Sequence, residues 1–535
     1  MATSPFLSRR AFVVAAGAAG LTALAGCSGK SSNSDPNTLR IAVSKHPLTK
    51  PISTMEWPKQ LEKIAGVKIQ WQEISADWDQ KKSTMLAAGD VPDLIVGTNA
   101  ITNSDLGTYR TLFENLADDL DALPNVKALF AAKPQLKSMA TLSTGEIYSV
   151  PGYKRFWPTT VTHQYINKQW LDRLGLKVPT TWDELFTVLV AFKEQDANGN
   201  GDKNDEIPMD WSPVGTGGFG YFQPSVLLGS VGLPIAGGGG QGYFLEDGKV
   251  GNFLVDERYK RVIQFIHRCY AAGLVSKNVM TQDYSAYQAV GRGSGKVAKV
   301  GFSWGWTASD RFGAELADQY VAMAPLLEKA GQTTPVAWSY DSNSENFPSN
   351  QIVMSAKTGN KQAALKIINA FYDKEMSLQV LWGDLGKYVK KVSDKEYEVL
   401  PPADPKTDPS TWKWTVTIAD AGPTWIRDDI EVKLPTDLDE AVEQTKPLQA
   451  ALENMDVKKD VYPFQFIQMT PDDTNQLALN NTTILNGTMT KFAEWITKGG
   501  IEDQWDKYVQ QIQSSGLQKN IDVYQRYYDE YVKTH

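Results

Sequence analysis

The chain has 535 residues, of which 42% are hydrophobic and 22% are charged, and this composition excludes disordered, collagen-like and coiled-coil proteins. At roughly 150 residues per domain, the length allows two to four domains, each with its own core. The 62 acidic and 54 basic residues give a net charge of −8, which argues against nucleic acid or an anionic membrane surface as the partner.

The first 27 residues have the features of an export signal. Arg9 and Arg10 precede the uncharged stretch 11–26, which is shorter than the ~20 residues needed to cross a bilayer. The paired arginines resemble a twin-arginine signal. The stretch ends in Leu-Ala-Gly-Cys27, which resembles the bacterial lipobox and predicts cleavage and lipidation at Cys27, with 28–37 as a flexible tether. A secreted protein with an unmodified cysteine is the alternative.

Strand and helix patterns alternate from residue 38 onward. The segment 38–44 predicts a strand, and 55–64 predicts a helix. An alternating strand at 67–73, a helix at 78–88 and a short apolar strand at 92–97 follow. This order predicts βαβ units on a largely parallel sheet, and therefore an α/β protein of more than one lobe.

Helical periodicity returns later in the chain. It predicts helices at 361–372, 489–498 and 501–512. Cys269 lies in another amphipathic helical pattern, which predicts a buried, small hydrophobic residue. Because the other cysteine is expected to be lipidated, no intramolecular disulfide is predicted. The proline-rich stretch 400–409 indicates a crossing segment or an insertion.

A helix and an oxygen-rich loop follow each other between residues 181 and 206. Thr181 and Glu184 have the spacing of a capping box, which opens a helix that runs to about residue 195. The loop places oxygen side chains at positions 1, 3, 5 and 9 and glycine at position 6, as calcium loops do. Position 12 is Ile207, so an ordinary helix–loop–helix sensor is not predicted. A hydrophilic turn without metal is the alternative.

The spacing of this loop indicates how it would hold a hard cation. Alternate residues point inward, so that Asp196, Asn198 and Asn200 are expected to converge on one ion. Asp202, at position 7, would ligate through its backbone carbonyl. The predicted role is structural, because one rigid loop at a helix end offers no groove to open.

Two catalytic motifs are incomplete. The match to Gly-x-Ser-x-Gly around Ser303 needs a downstream histidine, but the only one is the terminal His535. The glycine-rich run 290–297 has Val297 where a phosphate loop needs Ser or Thr for Mg²⁺. No zinc-binding spacing is present. A glycosidase needs only two carboxylates, so a surface glycoside-degrading lipoprotein remains the enzyme alternative.

Aromatic residues are abundant, with 16 Trp and 21 Tyr but only 4 His. A flat ring covers the apolar C–H face of a sugar, while polar neighbours bond its hydroxyls. For any single Trp, core packing is the alternative, but at least two are predicted to line a cleft. The aromatic clusters in loop-like sequence are Phe156-Trp157, Phe219-Gly220-Tyr221-Phe222, Trp304-Gly305-Trp306, Trp338-Ser339-Tyr340 and Trp412-Lys413-Trp414, with Trp425 alone.

A separate run of four glycines at 237–240 predicts a surface loop.

Two stretches of the sequence resemble a known family. One runs from Ile166 through the Thr181 cap into the loop at 196–208, and the other comprises 492–499 with 505–517. Both are similar to the extracellular solute-binding proteins of carbohydrate ABC importers, in the large lipoprotein subgroup that includes the alginate-oligosaccharide-binding proteins. The resemblance covers the whole mature chain, and the helix with its cation loop is the most specific part.

The resemblance implies a periplasmic-binding-protein-like α/β fold and no enzymatic activity. Lobe 1 would comprise 38–153 and 322–386, and lobe 2 would comprise 154–321 and 387–535. The lobes would close around an oligosaccharide in the cleft between them, and an ABC permease would recognise the closed form. The protein would be a lipid-anchored monomer on the extracytoplasmic face of a bacterial cell membrane.

The resemblance also implies a structural Ca²⁺ ion. The loop is one residue longer than the commonest family version, so Asn204 and Asp205 both remain candidates for the fifth ligand. The family pattern carries over to Asp196, Asn198, Asn200, Asp202, Asp205 and Glu206.

The ligand residues of this family are not fixed by a motif, so they are predicted from the aromatic clusters. A net charge near −10 without Arg9 and Arg10 disfavours a polyanionic ligand such as alginate. The predicted polar partners each lie close in sequence to one of the aromatic residues. The predicted stacking platforms are Trp157, Trp306, Trp338 and Trp425, and the predicted hydroxyl partners are Arg155, Asp341 and Arg427.

Overall fold

A computed structural model describes residues 37–142, 144–155, 158–215, 217–401, 412–434 and 436–534. The export signal, Cys27 and most of the proline-rich stretch 400–409 lie outside these ranges. Among the described helices, none combines the length and the hydropathy that crossing a bilayer requires.

Strands and helices alternate along most of the described chain. The strands are β1 (Thr38–Ser44), β2 (Lys68–Ile74), β3 (Leu94–Val96), β4 (Ser149–Val150), β5 (His163–Asn167), β6 (Ile207–Asp210), β7 (Tyr243–Glu246), β8 (Lys249–Asn252), β9 (Val300–Gly305), β10 (Tyr320–Ala322), β11 (Ile352–Met354), β12 (Val389–Lys391), β13 (Glu396–Val399) and β14 (Glu431–Lys433). The α-helices are α1 (Trp57–Ala65), α2 (Trp78–Ala88), α3 (Asn103–Tyr109), α4 (Pro124–Ala132), α5 (Pro134–Ala140), α6 (Lys168–Leu174), α7 (Trp182–Glu194), α8 (Glu257–Ala271), α9 (Tyr284–Gly291), α10 (Ala308–Phe312), α11 (Ser342–Asn346), α12 (Lys361–Phe371), α13 (Lys374–Trp382), α14 (Trp412–Val416), α15 (Thr436–Thr445), α16 (Gln449–Glu453), α17 (Val457–Asp460), α18 (Pro471–Lys498), α19 (Ile501–Ser514) and α20 (Leu517–Thr534).

The first lobe is built on a five-stranded sheet with the order β2-β1-β3-β11-β4. β1 is parallel to β2 and β3, as the alternating pattern predicts, whereas β11 is antiparallel to both its neighbours. Alternate side chains face opposite sides, so Ile41 and Val43 pack in one core cluster and Ala42 in another. Both faces of the sheet are therefore buried, as is usual for parallel strands.

The second lobe is built on a four-stranded sheet with the order β10-β5-β9-β6. Strand β9 begins at Val300, directly before the Gly-x-Ser-x-Gly match. Helix α7 packs Leu185, Leu189 and Phe192, which lie on one face of the helix, into the core of this lobe. Cys269 is fully buried on α8, which confirms its prediction as a core residue, and burial raises the pKa of its thiol to about 12.

The N-terminus of α7 differs in detail from the predicted capping box. Thr181 is the N-cap, and its hydroxyl accepts the backbone N–H of Glu184 at 3.2 Å. The N–H of Thr181 is not the main partner of the Glu184 carboxylate. The carboxylate accepts instead from the backbone N–H and the hydroxyl of Thr180, both at 2.7 Å. The cap therefore joins the preceding turn as well as the helix.

The core clusters place two segments differently from the predicted lobe boundaries. Met323, Leu326 and Trp338 pack in the core of the second lobe, because β10 pairs with β5 and holds the following chain there. Residues between 378 and 432 form a third cluster around the sheet β12-β13-β14. This third cluster includes side chains of α13, so it is attached to the first lobe.

Three segments connect the lobes, at 151–162, 341–351 and 417–430, and the described residues of the first segment, 151–155 and 158–162, run beside the other two. Tyr153 N donates to Thr424 O at 2.9 Å, which joins the first and third crossing segments. Lys154 N donates to Asn346 O at 2.9 Å, which joins the first and second. The crossing segments are therefore one hydrogen-bonded bundle.

Gly152 lies where the three crossing segments meet. A Cβ atom there would lie 1.8 Å from Gln351 Oε1 and 2.9 Å from Thr424 O. The fully buried side chain of Gln351 accepts from Thr424 N at 3.1 Å and donates to Gly422 O at 2.8 Å. Because Gly152 has no side chain, the Gln351 side chain can lie against the first crossing segment and bond the backbone of the third.

A cluster of three charges also ties the bundle together. Asp420 lies 2.9 Å from Lys154 Nζ and 3.2 Å from Lys413 Nζ, and the two lysine side chains are 6% and 5% exposed. Burial alone would raise the pKa of Asp420, but the two lysine charges outweigh it and hold this pKa well below its usual range. The cluster carries one net positive charge.

Replacement of Asp420 by asparagine should destabilise the protein markedly. The substitution removes the carboxylate that two buried lysines share, and breaking a buried pair in this way costs roughly 3–5 kcal/mol. We expect the melting temperature, measured by calorimetry at pH 7, to fall by several degrees. The matched control is Asp121→Asn, which breaks an exposed pair with Lys127 that water screens. Equal effects of the two substitutions would contradict the role of the cluster.

The same cluster predicts the direction of a pH dependence. The pKa of Asp420 is lower in the folded state than its ordinary value of 3.8, so its stabilisation is complete above that value. It is lost as the pH falls from about 4 toward the folded-state pKa. The difference in stability between the wild type and Asp420→Asn should therefore shrink below pH 4.

Candidate ligand-binding cleft

The carboxyl ends of the parallel strands in both lobes point toward the crossing segments. β4 ends at Val150, where the first crossing segment begins, and β5 starts after it at His163. His163 pairs with Gly305 at the end of β9, and Ile352 at the start of β11 pairs with Val96 at the end of β3. The chain thus crosses from one sheet edge to the other. Because ligands of open α/β sheets bind outside the carboxyl ends of strands, the candidate site is the cleft between these edges.

Polar and aromatic residues follow the strand ends of the first lobe. The ring of His46, two residues after β1, lies 4.9 Å from that of Trp414. Asn99, after β3, and Asn350, before β11, have positive φ angles of 52° and 46°. Ser349 donates its hydroxyl to Asn99 Oδ1 at 2.7 Å. Strained backbone of this kind persists where its surroundings hold it, often at ligand sites. The sequence prediction missed His46 and Asn99, although their positions shortly after the strands predicted at 38–44 and 92–97 were a usable signal.

Three of the predicted ligand residues come together at the crossing segments. Trp425 pairs with Tyr153 and is 7% exposed, so it packs in the core of the first lobe. The Arg427 guanidinium lies 4.3 Å from the centre of the Trp425 ring. Arg427 Nε is buried and has no hydrogen-bond partner among the described residues. Arg155 donates to two backbone oxygens of the third crossing segment, at 3.2 and 2.6 Å, and so braces it.

Trp306 lies at the cleft edge of the second lobe, directly after β9. Its ring is partly buried against the third core cluster, and its carbonyl accepts the Tyr165 hydroxyl at 3.1 Å. His163 Nδ1 lies 2.6 Å from the same carbonyl. Burial lowers the pKa of His163 to about 4, so its imidazole is neutral at pH 7. Trp157, another of the predicted platforms, lies outside the described residues.

Trp338 and Asp341 are internal residues. Trp338 is fully buried, and its indole N–H donates to Thr162 O at 2.8 Å. Asp341 is 1% exposed and accepts the backbone N–H groups of Val161 and Gly237 at 2.9 and 2.8 Å. Both side chains hold the crossing segments to the second lobe. In this conformation neither presents a surface to a sugar, contrary to the expectation from their neighbours in sequence.

The serine of the Gly-x-Ser-x-Gly match lies in the interior of the second lobe. Ser303 is fully buried on β9, where its hydroxyl donates to Asp210 O at 2.9 Å. The same hydroxyl accepts from Arg311 Nε at 3.0 Å. A serine held in this way has no access to a substrate.

The loop at 196–206 folds compactly around its own oxygen atoms. The two Asp196 carboxylate oxygens accept the backbone N–H groups of Asn200 and Gly201 at 3.0 and 2.9 Å. The two Asp205 oxygens accept the side-chain amides of Asn198 and Asn200 at 2.9 and 2.8 Å. Four of the predicted metal ligands are therefore neighbours in space. The Asp202 carboxylate accepts the backbone N–H of Asn204 at 3.0 Å.

Glu206 is the last residue of the loop, and only one of its two carboxylate oxygens accepts a hydrogen bond from a described residue. Glu206 Oε1 accepts from Asn198 N at 3.3 Å, and burial raises the pKa of this carboxyl group. Glu206 Oε2 is buried without a hydrogen-bond partner among the described residues. No described group of three or more His, Cys, Asp or Glu side chains is arranged to hold a metal ion. A cation here would therefore use amide and backbone oxygens beside the carboxylates, which is the donor set that Ca²⁺ accepts.

The chain is similar to known proteins over nearly its whole length. It is similar to the fructooligosaccharide ABC transporter substrate-binding protein FusA of Streptococcus pneumoniae. The two sequences are 27% identical over an alignment of 548 residues, and the alignment covers 96% of each chain. The structure of this chain matches that of an HMO-binding, ABC-transporter-associated solute-binding protein of Bifidobacterium longum infantis, with a TM-score of 0.84 and 35% identity over 92% of this chain and 99% of that one.

The structure of FusA in complex with kestose also matches, with a TM-score of 0.80 and 26% identity over 93% of this chain and all of that one. FusA has also been solved as an EF-hand mutant in complex with fructo-nystose, at 25% identity over 93% of this chain and all of that one, with a TM-score of 0.79. The family model described as bacterial extracellular solute-binding protein matches residues 48–377. With its two α/β lobes and the cleft between them, the chain belongs to the bacterial extracellular solute-binding protein family.

Proposed function

We propose that this protein is the substrate-binding subunit of an ABC importer, and that it captures an oligosaccharide in the cleft between its lobes. The observation that carries the proposal is the pair of facing sheet edges joined by three crossing segments. This arrangement encloses a ligand between two surfaces that can rotate about one bundle. The relatives support the ligand class, because FusA was solved with kestose and the Bifidobacterium protein is described as HMO-binding.

Closure of the lobes would be driven by the ligand itself. A ligand that contacts both sheet edges binds the closed state more tightly than the open one, and this difference in affinity shifts the population. The permease would then recognise the closed form. The acidic net charge of the chain favours a neutral oligosaccharide over a polyanion.

Oligosaccharide binding should raise the melting temperature of the mature chain. Ligand at about 100 times its Kd stabilises the folded state by about 2.7 kcal/mol. We expect a shift with kestose, nystose or an HMO at one-to-one stoichiometry in calorimetry, and no shift with alginate oligosaccharides as the charged control. Chromatography of the recovered sugar should show it unchanged. The absence of a shift with every glycan, or the appearance of shorter products, would contradict a binding subunit and favour the glycoside-degrading alternative.

The loop at 196–206 would hold a structural calcium ion. Asp196, Asn198, Asn200, Asp205 and Glu206 would supply side-chain oxygens, and Asp202 would supply its backbone carbonyl. The partnerless Glu206 Oε2 supports this assignment, because a buried carboxylate oxygen is costly without a proton, a donor or a cation. The description of a FusA variant as an EF-hand mutant supports it as well.

Removal of calcium should lower the thermal stability of the second lobe. We expect chelator to reduce the melting temperature of the wild type and excess Ca²⁺ to restore it. Asp196→Ala should abolish this response, since it removes a charged ligand. Asp503→Ala, which removes an exposed acidic residue from the same lobe, is the matched control and should leave the response intact. A melting temperature that is the same in calcium and in chelator would contradict the site.

We also propose that Cys27 is lipidated and anchors the mature chain to the extracytoplasmic face of the cell membrane. The signal and lipobox patterns of residues 1–27 support this assignment. The chain would act there as a monomer, and residues 28–37 would give the folded part freedom to meet the permease.

Substitution of Cys27 by serine should release the protein from the membrane. In cells fed a radiolabelled fatty acid, the wild type should be labelled and should sediment with membranes. Cys27→Ser should be unlabelled and should fail to sediment, whereas Cys269→Ser, at a buried position, should keep the label. Labelling of the Cys27→Ser variant would refute the assignment.

A further inference from the structure

A cavity of about 360 Å³ lies in the second lobe beside the second crossing segment. One side is formed by the glycine run at 237–240, and Asn343 of the crossing segment and Gln465 also line it. Most of the remaining lining residues are aromatic. These residues, which form the aromatic wall, are Tyr221, Tyr243, Tyr340, Tyr462, Phe464 and Tyr524.

The aromatic wall is held in place by contacts within the lobe. The ring centroids of Tyr243 and Tyr524 are 4.4 Å apart, as are those of Tyr462 and Phe464. Tyr243 donates its hydroxyl to Asn481 Oδ1 at 2.7 Å, and Tyr462 donates to Tyr524 O at 2.8 Å. These rings are fixed without a ligand, so little entropy is lost when one binds.

The glycine run faces the cavity with bare backbone. Gly237 and Gly240 have φ angles of 58° and 49°, which glycine adopts without strain. A Cβ atom built at either position would meet nothing within 4 Å. Gly237 is held by its N–H bond to the buried Asp341. The loop thus leaves open space where any other residue would place a side chain.

Polar groups for hydroxyl recognition are present as well. Among the described residues, the side chains of Asn343 and Gln465 have no hydrogen-bond partner. A side-chain amide offers donors and an acceptor, which suits the hydroxyl groups of a sugar rim. The aromatic rings suit the apolar face of the same ring.

The position of the cavity connects it with the cleft. Tyr221 lies in the segment after the carboxyl end of β6, and Asn343 belongs to the second crossing segment. Phe464 is 39% exposed, whereas Tyr243, Tyr462 and Tyr524 are buried behind it. Tyr221 and Asn343 are partly exposed, so the cavity reaches solvent beside the second crossing segment. The buried tyrosines close part of its wall away from solvent.

We propose that this cavity is a preformed subsite in the second lobe that holds one terminal unit of the bound oligosaccharide. Its volume falls in the ~300–1,000 Å³ range of small-molecule sites. Where the buried tyrosines close its wall, a sugar chain can end but cannot continue. This inference rests on the proposed function. It adds that the second lobe binds the terminal sugar unit before the lobes close.

Filling the cavity tests the subsite directly. Ala236 lines it in an extended backbone conformation that accepts any residue, so Ala236→Trp should occupy the space without strain. We expect the Kd for every oligosaccharide that the wild type binds to rise at least about tenfold in titration calorimetry. Phe464→Ala should raise it several-fold. Leu479→Ala removes an exposed apolar side chain from α18 outside the cavity and should leave the Kd unchanged.

The outcomes separate the subsite from the proposed function. A wild type that binds no oligosaccharide overturns both. A folded Ala236→Trp variant that binds with wild-type Kd overturns the subsite alone. If Ala236→Trp fails to fold, Phe464→Ala and Gln465→Ala decide, because both side chains are at least partly exposed. Wild-type Kd values in both of these variants would then overturn the subsite.

Discussion

The close packing of three crossing segments is the constraint on which the rest of the structure depends. Gly152 leaves room for the buried Gln351 side chain, whose amide joins two of the segments. Asp420 and its two lysines add a charged contact beside it. Because the chain must cross at the carboxyl edges of both sheets, those edges face each other. The cleft therefore follows from the path of the backbone rather than from any one side chain.

A hinge of this kind must hold together and still rotate. The hydrogen bonds and the ion cluster keep the crossing segments in register, so rotation has to be absorbed at a few backbone positions. Asn350 and Ala419 are candidates, because both lie in crossing segments with positive φ angles of 46°. A non-glycine residue in this region is strained, and strain of about 1–3 kcal/mol can be relieved or increased as the lobes move. The bundle thus combines a rigid interior with two strained positions.

The sequence predicted what depends on local pattern and missed what depends on distant contacts. Strand β1 and helix α2 were predicted with the bounds that the structure has, since local sequence determines them, as with Gly89 at the C-terminal end of α2. The stacking platforms were predicted from the aromatic clusters, and their polar partners from closeness in sequence to those platforms. These rules predicted Trp338 and Asp341 at the cleft surface, whereas both are buried. Asp341 is instead bound by segments 104 and 180 residues away. The ion cluster joins residues 266 positions apart and has no local signature.

The loop at 196–206 and the proposed subsite lie at opposite ends of β6. Glu206 is followed directly by Ile207, the first residue of β6, whose N–H donates to Lys299 O at 2.7 Å. The far end of β6 leads to the segment that carries Tyr221. A metal at the loop would therefore fix the start of the strand that positions one wall of the cavity, without contact with the sugar. Its effect on binding would come through the stability of the second lobe, which is what a structural ion provides.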